Sequence, residues 1–109
     1  MPDLTIGEGG NGRTVTVHRG DRIIVALPEN ATAGYRWQAA PLVPGVLAMT
    51  GDETQAPPGG GAGAAGVRLL SFRAEEPGRA AIRLELRRAW ESGRPPERTF
   101  ELQVEVSRA

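Results

Sequence analysis

The segment Arg98-Thr99-Phe100-Glu101-Leu102-Gln103-Val104-Glu105-Val106 alternates strictly between apolar and polar side chains. Successive side chains of a β-strand point to opposite faces, so Phe100, Leu102, Val104 and Val106 share one face and Thr99, Glu101, Gln103 and Glu105 the other. That period of two predicts a strand half buried against a core. The stretch before it repeats the pattern, with Ile82, Leu84 and Leu86 inward and Arg83, Glu85 and Arg87 outward. Between the two lies Ala89-Trp90-Glu91-Ser92-Gly93-Arg94-Pro95-Pro96, whose prolines and glycine break a ladder and predict a loop. An antiparallel pair with a long connection follows.

Working back along the chain, Val67–Arg73 reads as a strand, and Glu76-Pro77-Gly78-Arg79 as the turn after it. Arg13–Val17 alternates and Arg19-Gly20-Asp21 turns. The β-branched run Ile23-Ile24-Val25-Ala26-Leu27 predicts a strand central in its sheet or buried on both faces. Pro28 to Gly34 reads as a loop, Tyr35–Gln38 as a strand and Val46–Thr50 as a weaker one. From Gly51 to Gly66 hydrophobicity falls away, and Ala56–Gly66 is low-complexity. Strands flank it closely on both sides, which predicts a loop within a domain rather than a boundary. Seven to eight short strands predict an all-β fold, an immunoglobulin-like antiparallel β-sandwich, with residues 1–109 forming one domain.

Composition narrows the function. The 13 basic residues, all arginine, are scattered and balance 13 acidic ones, so no basic stripe offers itself to nucleic acid. No apolar run reaches the length that spans a membrane. The absence of cysteine removes disulfides, thiolate metal sites and a cysteine nucleophile. His18 is the one histidine and sits beside a turn, where a surface role is expected. Ser71, Ser92 and Ser107 lack the glycines of a nucleophile elbow. The pairs Asp52-Glu53 and Glu75-Glu76 read as solvated loop charge. The glycine-rich stretch has no lysine or following helix, so it is no phosphate loop. The chain reads as a non-enzyme, with no cofactor or metal expected.

Three features remain. Leu27-Pro28-Glu29-Asn30-Ala31-Thr32-Ala33-Gly34-Tyr35-Arg36-Trp37 joins a buried strand to an aromatic one. Gly63-Ala64-Ala65-Gly66 ends the glycine-rich stretch, and Arg88-Ala89-Trp90 opens the last long loop. Singly, each is an ordinary turn or strand end. In this order they resemble the chagasin family of cysteine peptidase inhibitors, whose loops read Asn-Pro-Thr-Thr-Gly, Gly-x-Gly-Gly and Arg-Pro-Trp. Asn30, Thr32, Gly34, Gly63, Gly66, Arg88 and Trp90 match; Ala31, Ala33, Ala65 and Ala89 depart.

The resemblance spans Val15 to Val106 and implies a reversible inhibitor of papain-like proteases, of papain or cathepsin L type. Three loops at one end of the sandwich would fill the active-site cleft. By that likeness Asn30 braces the first loop, Thr32 faces the catalytic centre and Gly34 takes a dihedral closed to other residues. Gly63 and Gly66 let backbone approach the cleft wall, and Trp90 anchors the third loop. Arg88 either bonds the protease or holds its own loop. Ala31 and Ala89 free a φ that proline would fix, which raises the ordering cost on binding. The partner expected is a protease, met by a monomer. The alternative is an immunoglobulin-like binding module that recognises another protein or a carbohydrate. The N-terminus carries no basic and apolar leader, so the chain as it stands is expected in the cytoplasm. A leader already removed would instead place it in the periplasm or outside the cell.

Overall fold

A computed structural model describes residues 3–29, 34–42, 44–55, 66–88, 93 and 95–108. Among them run β1 (Asp3–Ile6), β2 (Thr14–His18), β3 (Arg22–Glu29), β4 (Tyr35–Ala39), β5 (Leu47–Gln55), β6 (Gly66–Ala74), β7 (Gly78–Arg88) and β8 (Arg98–Ser107). They form two four-stranded sheets, ordered β1-β3-β6-β5 and β2-β8-β7-β4. The β-sandwich expected from the alternation is what forms. Its interior pairings are antiparallel, while the edge pairs β1–β3 and β2–β8 are parallel.

The alternating residues build the core. Ile23, Val25 and Leu27 of β3 and Leu70 and Phe72 of β6 face Ile82 and Leu84 of β7 and Phe100, Leu102 and Val104 of β8, all at most 2% exposed. Full burial of a side chain this size stabilises by roughly 1.5–3 kcal/mol. The β-branched run of β3 is central in its sheet; Ile23, Val25 and Leu27 point inward, and Ile24 and Ala26 lie half-buried on the outer face.

β5 continues to Gln55, beyond the polar stretch where a loop was expected, because β6 offers it a backbone partner as far as Val67. A register shift between Met49 and Gly51 accommodates the change. Asp52 therefore lies in an edge strand, which corrects its reading as loop charge. The Ala56–Ala65 stretch lies outside the described residues.

Candidate functional site

The strand registers bring the roots of three connections to one end of the sandwich. Glu29, last in β3, lies opposite Gly66, first in β6. Gln55, last in β5, lies opposite Val67. In the second sheet Tyr35, first in β4, lies opposite Arg88, last in β7. Segments 30–34, 56–65 and 89–97 all leave from these points. Asn30, Ala31, Thr32, Ala33, Gly63, Ala64, Ala65, Ala89 and Trp90 fall outside the described residues. Gly34, Gly66 and Arg88 fall within them.

Gly34 has φ +84°, a left-handed conformation that costs an L-residue about 1–2 kcal/mol. Gly66 is needed for another reason. A Cβ there would sit 2.8 Å from the backbone oxygen of Gln55, so only glycine lets β5 approach β6 this closely. Arg88 lays its guanidinium over the Tyr35 ring, 4.5 Å from the centroid, and so has a role inside the chain, tying the root of the third connection to the exit of the first.

Beneath these roots lies an ionic network that the sequence reading missed. The Glu29 side chain is wholly buried. Its Oε2 accepts hydrogen bonds from Arg68 Nη1 at 2.7 Å and from the Trp37 backbone N–H at 2.8 Å. Arg68 also donates from Nε and Nη2 to the two carboxylate oxygens of Asp52, the fork-to-fork geometry favoured by guanidinium and carboxylate. Trp37 Nε1 donates to the Pro28 carbonyl at 3.0 Å. β3 and β4 belong to different sheets, so these bonds pin the two sheets together where the first connection begins and ends. Arg68 and Asp52 add the strands that carry the second.

Electrostatics follow the contacts. Hydrogen bonding to Arg68 holds the Asp52 carboxyl below the usual carboxylate range; partial burial opposes this, while the charges of Arg68 and Arg36 add to it. Glu29 Oε1 is buried without a hydrogen-bond partner, which leaves Oε2 to carry the bonds to this carboxylate. A parity signal was available for the network. Glu29 shares the inward phase of Ile23, Val25 and Leu27, and Arg68 that of Leu70 and Phe72. A charge in the apolar phase of a strand must find a partner in the interior.

Among the described residues no cluster of histidine, acidic or cysteine side chains is arranged to hold a metal ion.

The family model of the chagasin family peptidase inhibitors, I42, matches residues 16–104. The chain belongs to the chagasin family of peptidase inhibitors. Solved structures share its fold over almost its whole length. The cysteine protease inhibitor EhICP2 from Entamoeba histolytica superposes with a TM-score of 0.89 at 24% identity, covering 98% of this chain and 97% of that one. Amebosin gives 0.80 at 28% identity, covering 98% and 100%. PbICP-C, solved in complex with falcipain-2, gives 0.74 at 15% identity, covering 98% and 100%. No curated protein sequence matches significantly.

Proposed function

We propose that this chain inhibits papain-like cysteine proteases reversibly, by seating the loops at Asn30–Gly34, Gly63–Gly66 and Arg88–Trp90 in the active-site cleft. The observation that carries this is the gathering of the three motif-bearing connections at one end of the sandwich, on a base held by Glu29, Arg68 and Asp52, in a member of the chagasin family. A loop that enters a protease cleft must resist being drawn into the geometry of a substrate. Fixed roots supply part of that resistance, since order present before binding is not lost on binding.

Within this reading Thr32 faces the catalytic centre, the glycines of the second loop admit close backbone approach, and Trp90 is the aromatic anchor. Alanine at 31 and 89 leaves the first and third loops to rely on their roots, where Gly34 and the Arg88–Tyr35 stack stand.

Titration of papain and of a cathepsin L-type enzyme with the protein, followed by hydrolysis of a fluorogenic peptide, tests it. Inhibition is expected to be reversible. Trp90→Ala is expected to weaken it by about 2 kcal/mol, the size of a hot-spot loss, with the fold intact. A folded sample without effect at tens of micromolar would overturn the reading in favour of a binding module for another protein or a carbohydrate.

A further inference from the structure

The outer face of the second sheet follows a rule of opposite charges, with one exception. Arg83 lies opposite Glu101 with Nε 3.2 Å from Oε2, and Arg79 lies opposite Glu105. Cross-strand pairs of this kind stabilise a sheet, and like charges set directly opposite destabilise it. Yet Arg36 of β4 lies directly opposite Arg87 of β7. Both point outward, because their neighbours Trp37 and Leu86 are buried in the core.

Nearby carboxylates offset this only in part. Glu85 Oε1 is 3.2 Å from Arg87 Nε and takes up some of that charge. Asp52 feels the charge of Arg36, but both of its oxygens are already held by Arg68. Arg36 itself is exposed. The exception sits one residue behind Tyr35 and Arg88, at the roots of the first and third loops.

We infer that Arg36 and Arg87 form a basic shoulder that docks against acidic side chains on the rim of the target protease's cleft, and so helps to select which papain-like proteases are captured. The inference rests on the inhibitor reading above. A cationic surface beside the loops speeds encounter with an acidic rim and turns away a basic one, and salt screens the effect. Bound against carboxylates, the two guanidinium groups would also lose the mutual repulsion that they have in the free protein.

Arg36→Glu separates this from a structural role, because it moves stability and binding in opposite directions. Glutamate opposite Arg87 is expected to raise the thermal midpoint. Against a papain-like protease with carboxylates on its cleft rim, the same variant is expected to associate about tenfold more slowly at low salt. The loss should shrink as ionic strength rises, with the dissociation rate little changed, and Arg36→Gln should lie between. Against the same protease with its rim carboxylates changed to amides, the difference should vanish. Inhibition by wild type with an unchanged association rate for Arg36→Glu would overturn the shoulder and leave the inhibitor reading standing. A midpoint that falls along with inhibition would assign Arg36 to the fold instead. A wild type that inhibits no papain-like protease would bring down the inhibitor reading and the shoulder with it.

Discussion

At the end of the sandwich away from the loops, the backbone does most of the closing. Gly20 N–H donates to the Ala74 carbonyl at 2.8 Å, Ala74 N–H to Asp21 at 2.9 Å and Glu75 N–H to Val46 at 2.8 Å. The side chain of Asp21 assists by accepting from the His18 N–H at 2.9 Å. At the loop-bearing end the same task falls to side chains: Glu29, Arg68, Asp52, Trp37 and the Arg88–Tyr35 stack. Backbone closure tolerates change in sequence, since any residue but proline supplies the same donor and acceptor. Side-chain closure depends on particular residues and fails when one is removed. The loop-bearing end thus depends on the identities of a few residues, and it is the end that must present loops in a defined shape.

The sharpest way to break this comparison is Arg68→Met. It strands the buried Glu29 carboxylate and is expected to cost about 3–5 kcal/mol in urea unfolding, with inhibition weakened further than the fraction unfolded explains. A loss under about 1 kcal/mol would mean that the network does not hold this end. Asp21→Ala probes the opposite end. It removes one hydrogen bond and is expected to cost about 1 kcal/mol, with the inhibition constant unchanged. A change in inhibition there would show that the two ends are coupled.

The smallest effect concerns pH. The carboxyl of Asp52 is shifted down in the folded state, so its contribution is present above the ordinary aspartate value of about 3.9 and is lost as pH falls through the lowered folded value. Asp52 is 42% exposed, so wild type and Asp52→Asn should differ by at most about 1 kcal/mol. That difference should stay constant from pH 7 to about pH 5 and close only below about pH 4. Closure already near pH 6 would place the sensitivity on another group.

Strands with a buried face were legible in the sequence because burial imposes a period. β8, β7 and β3 lie close to where their alternation put them. The second half of β5 was not, since Gly51-Asp52-Glu53-Thr54-Gln55 has no apolar phase; it is a strand only because β6 lies beside it. β1 has two apolar residues in four, too few to set a period. Nor does any local signal distinguish a parallel edge from an antiparallel one. The loop motifs were legible as an ordered set, while the network beneath them joins residues 39 and 16 positions apart, beyond the reach of local spacing. Only the parity of Glu29 and Arg68 within their strands pointed to it.

The parallel pairing of β2 with β8 sets an order of assembly. Thr14 lies beside Gln103 and His18 beside Ser107, so one of the earliest segments of the chain to be synthesised waits for the last. The first sheet can form once residue 74 has left the ribosome, whereas β2 remains a single unpaired strand until β8 emerges. Pairings so distant in sequence pay a large loop-closure entropy and form slowly. Of the three loops, the one between β7 and β8 is therefore the last to gain two fixed ends during biosynthesis, and a ribosome stalled before residue 98 would hold a chain whose second sheet lacks its central strand.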